Sequence, residues 1–322
     1  MKLSRLFLSR KYQFPTTRVA LVGGLGNQFF QLASGLFVSQ EEKLLLDSSF
    51  EIFRINLDGS SQIEKFRLPS NITVTRTKRR RFLRHKFFNL CLRASASQSR
   101  FFSSIVSRIV SLPKFFNKNV SIFVNSGVGF DPRINNLKAP TYMIGYFQNY
   151  LTPNIPAVRD KLMSIDLVVE SEFFKKLKHE ALSKKILIVH VRLSDYKKEL
   201  NFGLVGAKYY QCALEYFANS YFDEIWLFSD EPDEAKNFFH ASSSTPLKIR
   251  HEFPINSEEA FQLMRYGAGY IIANSTFSWW AAFLRMDQQV TVIAPTPWYK
   301  KSDNPVSIYP PDWLLMHNGQ ID

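Results

Sequence analysis

Residues 186–196 read ILIVHVRLSDY. A continuous apolar, β-branched run bounded by polar residues is the pattern of a strand buried on both faces, and such strands belong to parallel sheets. In open parallel sheets ligands sit outside the carboxyl ends of the strands. This run delivers His190, Arg192 and Asp195 to that end. A guanidinium is permanently charged and offers a planar fork of N–H donors, which suits a phosphate or pyrophosphate. Asp195 can hold Arg192, accept a proton from a hydroxyl or cap the next segment. His190 alone would read as a core histidine. The three together mark a working edge.

Outward from this strand the same alternation continues. The pattern predicts a helix over 207–219, a strand over 224–228, and a helix opening at DEPDEAKNFF. It then predicts strands over 247–253, 270–273 and, last, 289–294, with helices over 257–265 and 276–285 between them. Towards the N-terminus it predicts a strand over 18–22, a glycine-rich turn, a helix over 27–39 and a strand over 43–46. Residues 141–151 read as a strand running into a loop. Apolar strands separated by helices indicate parallel sheets covered by helices. We expect an α/β fold of two halves meeting near residues 155–183, one over 1–155 and the other over 156–322.

The other strand ends carry polar clusters as well. Gly23, Gly24 and Gly26 follow the first strand, where glycines let the backbone approach a ligand and the next helix offers N–H groups to an anion. Asn27 and Gln28 stand at that helix start, as site residues or as caps. Asp230 in FSDEPDE can hold a ribose hydroxyl or a base edge, or cap a helix. In ANSTFSWWAAFL, Asn274, Ser275, Thr276 and Ser278 crowd a helix N-terminus with groups that would cradle a phosphate. Trp279 and Trp280 read as core.

Two cysteines in 322 residues exclude a disulfide framework and a cysteine zinc site. The six histidines lack metal-ligand spacing, and neither Asp-x-Asp nor Gly-x-Ser-x-Gly occurs. A nucleotide diphosphate held by arginine and helix N-termini, without metal or cofactor, is the consistent expectation. No secretory signal or stretch of membrane-spanning length is read, so the expected location is cytoplasmic.

The net charge of +13 is concentrated. Between Lys65 and Phe130 fall fourteen Lys and Arg and no acidic residue, leaving 27 basic against 28 acidic residues elsewhere. Basic residues alternate there with Phe, Leu, Ile and Val. The segment reads as a basic insert over 65–130, suited to an anionic membrane surface at the inner face or solvated with no specific partner, rather than to nucleic acid.

GGLGNQFFQLA, GYFQNY, HVRLSDY, FSD and ANSTFSWWAAFL, in this order, resemble the bacterial α-1,2-fucosyltransferases of glycosyltransferase family 11. The resemblance implies a GT-B-type fold, two Rossmann-like halves facing a cleft, with the acceptor on the N-terminal side and the GDP-sugar on the C-terminal side. It implies inverting transfer of fucose from GDP-β-L-fucose to the 2-hydroxyl of a terminal galactose, on a surface-glycan precursor that can be lipid-linked, with no required metal. By the same resemblance Arg192 meets the donor pyrophosphate, with His190 in the same motif. Asn27 lies near the reacting centre, with Gly24, Gly26 and Gln28 in its loop. Ser275, Thr276, Phe277 and Ser278 belong to the segment that contacts donor phosphates, and Asp230 reaches the nucleoside. Asp195 is the candidate base. Many members carry a second arginine and a glycine where this chain has Leu193 and Ser194.

Overall fold

The computed structural model describes residues 16–50, 60–76, 82–96, 105–106, 121–194, 203–239, 248–300 and 303–318. The chain divides into two compact units, Met1–Asp166 with Pro305–Tyr309, and Leu167–Asn304 with Pro310–Asp322.

The first unit is built on a five-stranded parallel sheet. Its strands are β1 (Thr17–Ala20), β2 (Leu44–Asp47), β3 (Ile72–Thr75), β4 (Ser121–Val124) and β5 (Thr141–Ile144), in the spatial order β3-β2-β1-β5-β4. Between β1 and β2 runs helix α1 (Leu25–Ser39), buried on nearly every side. Gly35 makes that burial possible: a Cβ there would come within 2.8 Å of Val19 and 2.9 Å of Leu44, so only glycine lets α1 lie against both strands.

The stretch read as a basic insert differs from expectation. It contributes β3 and β4, which close the two edges of the sheet, and helix α2 (Phe82–Ala96). Phe88 and Cys91 of α2 pack with Val22, Ile122, Val124 and Ile144. Burial pushes the Cys91 thiol up to about 12, so it behaves as an apolar side chain. Part of this stretch therefore belongs to the core, and each fully buried side chain such as Phe88 adds about 1.5–3 kcal/mol. Helix α3 (Pro156–Met163) completes the unit.

The second unit opens with α4 (Glu172–Ser183) and builds a six-stranded parallel sheet. Its strands are β6 (Ile186–Val191), β7 (Glu224–Ser229), β8 (Lys248–Arg250), β9 (Gly269–Ile271), β10 (Val292–Thr296) and β11 (Leu314–His317). Between them lie α5 (Ala207–Tyr216), α6 (Pro232–Lys236), α7 (Ser257–Met264) and α8 (Thr276–Phe283). The strand expected to come last is followed by β11, a mostly exposed strand over the apolar run Leu314 to Met316 that the strand pattern above does not include. All six residues of β6 are buried, as the apolar run requires.

Two local devices fix this frame. Asn256 caps α7 by accepting from the N–H of Glu259 at 2.8 Å, and the Glu259 carboxylate accepts from the N–H of Ser171 at 2.7 Å, tying α7 to the start of α4. On α5, the Tyr209 hydroxyl lies 2.7 Å from the Ile272 carbonyl and 3.0 Å from that of Ile293, while the Tyr210 hydroxyl donates to the His190 carbonyl at 3.2 Å. Two adjacent tyrosines thus hold the ends of β6, β9 and β10.

Candidate active site

The six strands stand in the order β11-β10-β9-β6-β7-β8. From β6 the chain winds to β7 and β8 on one side, then crosses back to β9, β10 and β11 on the other. Counted from β6 this is the 3-2-1-4-5-6 order, whose ligand crevice opens where the winding reverses, between β6 and β9. The segment after β6 carries Arg192, Leu193 and Ser194. The segment after β9 carries Asn274 to Ser278. Asp230 follows β7, whose register with β6 pairs His190 with Phe228 and Val191 with Ser229.

The register sets Asp230 against the turn after β6. Its Oδ1 accepts from the N–H of Leu193 at 2.9 Å, and its Oδ2 accepts from the N–H of Ser194 at 3.1 Å and from the Ser194 hydroxyl. Arg192 Nε lies 3.3 Å from Oδ2, with the two side chains 21% and 17% exposed. Burial alone would raise the Asp230 carboxyl. The Ser194 and Leu193 hydrogen bonds and the Arg192 charge outweigh it and hold the group below the usual carboxylate range. The Leu193 side chain, 1% exposed, turns away into the core with Val205, Tyr209 and Tyr210.

His190 is buried and its ring lies 5.8 Å from that of Phe277. Its Nδ1 has no hydrogen-bond partner among the described residues. Burial first, then the Arg192 charge, pushes its pKa down to about 3, partly offset by Asp230, so the ring is neutral. Asn274 is locked by donating to the carbonyls of Gly203 and Trp298 at 3.3 and 3.1 Å. Ser275 caps α8 without a side-chain hydrogen bond, and Thr276 and Phe277 are half-buried at the first turn. The Ser278 hydroxyl is wholly buried against the Ser275 and Ala273 carbonyls at 3.3 and 3.5 Å. Trp279 and Trp280 are fully buried, with Trp279 stacked on Phe283 at 4.8 Å, as a core reading has it. Asp195 lies outside the described residues.

In the first unit the reversal falls between β1 and β5, and the glycine loop and the GYFQNY loop follow those two strands. Gly23 adopts φ +78°, and a Cβ on it would meet Asn27 Nδ2 at 2.5 Å, so the turn needs glycine twice over. Gly24 is the helix cap, half-buried, and Gly26 is buried in the first turn of α1. Gln28 is completely buried: it donates to the Gly23 carbonyl at 3.2 Å and accepts from the Ser61 hydroxyl and the Ile63 N–H at 3.1 and 3.0 Å. Asn27 is half-buried, and its Oδ1 accepts from Gln148 Nε2 at 2.9 Å. Gln31 clamps the loop ends by bonding both backbone groups of Val22 and donating to the Gly145 carbonyl at 3.1 Å.

Gln31 and Gln148 were not nominated from the sequence. The signal present was an amide inside each quoted motif, GGLGNQFFQLA and GYFQNY. Among the described residues, no group of three or more His, Cys, Asp or Glu gathers that could hold a metal, and no helix is long and apolar enough to cross a membrane.

The chain is similar to two proteins of Escherichia coli. One, named alpha-1,2-colitosyltransferase, is 24% identical over 304 residues, covering 91% of this chain and 96% of that protein. The other, named O-antigen biosynthesis glycosyltransferase WbnK, is 26% identical over 307 residues, covering 87% and 93%. Among solved structures, fucosyltransferase NodZ from Bradyrhizobium aligns at a TM-score of 0.47 and 14% identity over 90% of this chain and 99% of that one. A model of the family described as Glycosyl transferase family 11 matches residues 131–317, more than half of the chain and the whole of the second unit's strand-end site. The chain belongs to glycosyl transferase family 11.

Proposed function

We propose that the chain is an inverting galactoside α-1,2-fucosyltransferase. In this reading it transfers L-fucose from GDP-β-L-fucose to the 2-hydroxyl of a terminal galactose on an O-antigen or capsule precursor. Family membership supports glycosyl transfer. The observation that carries the donor side is the arginine held at the reversal of the second sheet, at the same edge as the N-terminus of α8. The name of one relative supports the 1,2 linkage and that of the other the O-antigen setting.

The acceptor hydroxyl attacks the anomeric carbon from the face opposite GDP, and charge grows on the leaving β-phosphate. Arg192 and the backbone N–H groups at Ser275 to Phe277 stabilise that charge by preorganised electrostatics. In this reading Asn27 orients the reacting centre, and Asp195 takes the proton if it leaves early. His190, being neutral, adds no competing charge beside Arg192. Ser278 and Gln28 act by holding the structure around the site, Ser278 through the Ser275 carbonyl and Gln28 through Ser61 and the Ile63 N–H. No metal or cofactor takes part, so a chelator should leave the rate unchanged.

The donor sugar has a second reading, because one relative is named for colitose transfer. Incubation with GDP-fucose or nucleotide-activated colitose and galactose-terminated oligosaccharides, followed by linkage analysis, decides between them. Transfer of neither sugar would end both readings. The proposed location is cytoplasmic, with peripheral contact to an anionic membrane through the basic residues of 65–130. Replacing Lys78, Arg79, Arg80 and Arg81 by glutamine should then reduce flotation with anionic vesicles without changing transfer to a soluble acceptor.

A further inference from the structure

We infer that Asp230 is a positioning residue that fixes the Arg192 turn and does not read the nucleoside of the donor. The inference rests on the donor reading above, and revises the role the family resemblance gives this aspartate. Four donors from three consecutive residues converge on its carboxylate: the N–H groups of Leu193 and Ser194, the Ser194 hydroxyl and Arg192 Nε. An ionised carboxylate offers about four acceptor positions. A ribose hydroxyl or a base N–H reaching Asp230 would have to displace one of these bonds.

The turn is pinned from two directions. The register of β6 with β7 continues past Val191 and Ser229, setting Arg192 across from Asp230. On the inner side Leu193 is buried among Val205, Tyr209 and Tyr210. With its side chain in the core and its N–H on the carboxylate, Leu193 cannot rotate without breaking one contact or the other. Arg192 is thereby fixed in direction at its Cα and in plane at its Nε. An Nε anchor sets the plane of the two terminal nitrogens, the edge that grips phosphate oxygens as a fork. Asp230 thus acts on the diphosphate through Arg192, and its effect is blind to the base.

The test uses the full chain, with GDP, 2′-deoxy-GDP, ADP, UDP and CDP titrated by calorimetry into wild type, Asp230→Ala, Arg192→Ala and the double variant. Asp230→Ala should weaken the best-bound nucleotide about 10-fold, roughly 1.4 kcal/mol. It should preserve the ranking of the bases and the ratio of GDP to 2′-deoxy-GDP. In the Arg192→Ala background it should cost less than about twofold, because the residue it serves is gone. A change of more than tenfold in base or ribose discrimination, or an undiminished loss in the double variant, overturns the inference. Ser194→Ala, which removes a single donor, gives a milder loss of the same kind should Asp230→Ala fold poorly. A second readout needs no ligand: hydrogen exchange at Arg192 Nε in 15N-labelled protein should be slower in wild type than in Asp230→Asn. Equal exchange refutes the anchor. If wild type binds none of the nucleotides, the donor reading falls, and the exchange measurement still decides what Asp230 does.

Discussion

Replacing Arg192 by alanine should separate binding from folding. On the folding side the loss is small. The pair with Asp230 spans 3.3 Å and is partly solvated, and Asp230 keeps three other donors from Leu193 and Ser194. No buried charge is stranded, so the cost should be about 1 kcal/mol or less. That corresponds to a fall in Tm of at most about 4 °C for a unit of this size. On the binding side a fork of two charge-assisted hydrogen bonds to a phosphate is lost, at about 1.5–3 kcal/mol each. Even the lower figure gives about 3 kcal/mol, or roughly 100-fold in affinity. Differential scanning calorimetry and GDP titration on the same preparations measure both. GDP affinity within threefold of wild type would refute the assignment of Arg192 to the diphosphate. A Tm lowered by 10 °C or more would refute the claim that the turn stands without it.

Leu193→Arg places a charge where the side chain is 1% exposed, so it should destabilise by about 3 kcal/mol or more; a Tm at or above wild type with faster transfer would refute this. Gln148→Ala removes the group that orients the Asn27 carboxamide. It should lower kcat about 10-fold while GDP affinity stays within twofold, since general misfolding would shift both. His190 titrates near 6.5 when unfolded and at about 3 when folded. Between those values only the unfolded chain binds the extra proton, so stability contributed by the neutral ring is full above the unfolded value. It falls as pH drops through that window, by up to about 1.4 kcal/mol per pH unit. The denaturant stability of His190→Asn should therefore lose less between pH 6.5 and 4 than that of wild type, and parallel curves would refute the assignment. Asp230 is held below the usual carboxylate range, so its contribution is full above the ordinary aspartate value and is lost progressively as pH falls from there through its folded value.

The central strands were legible because burial on both faces leaves an apolar run with polar punctuation. The run at 186–191 predicted β6 to the residue, and that at 224–228 stopped one short of β7. Edge strands left weaker traces. Of β3 only Ile72 is buried, so it forms no continuous apolar run, while β11 does carry one, Trp313 to Met316, in residues the pattern left unassigned. Basic residues around β3 and β4 disguised a part of the sheet as an insert. The strand-end residues were legible as a set, but their division of labour was not. Asp230 meets the Arg192 turn across a gap of 37 positions, and Gln148 meets Asn27 across 121. Nothing local distinguishes an aspartate that grips a turn from one that awaits a ligand, or tells a buried Gln28 from the half-buried Asn27 beside it.

The tyrosine pair on α5 has a consequence for how such a site can change. The hydroxyls of Tyr209 and Tyr210 meet carbonyl oxygens at Ile272, Ile293 and His190, and a carbonyl is the same whatever side chain its residue bears. The scaffold is thus insulated from the identity of the groups it presents. Substitutions at the strand ends can drift toward another sugar or another acceptor while the platform under them keeps its geometry, which is a route by which one architecture comes to serve many glycans.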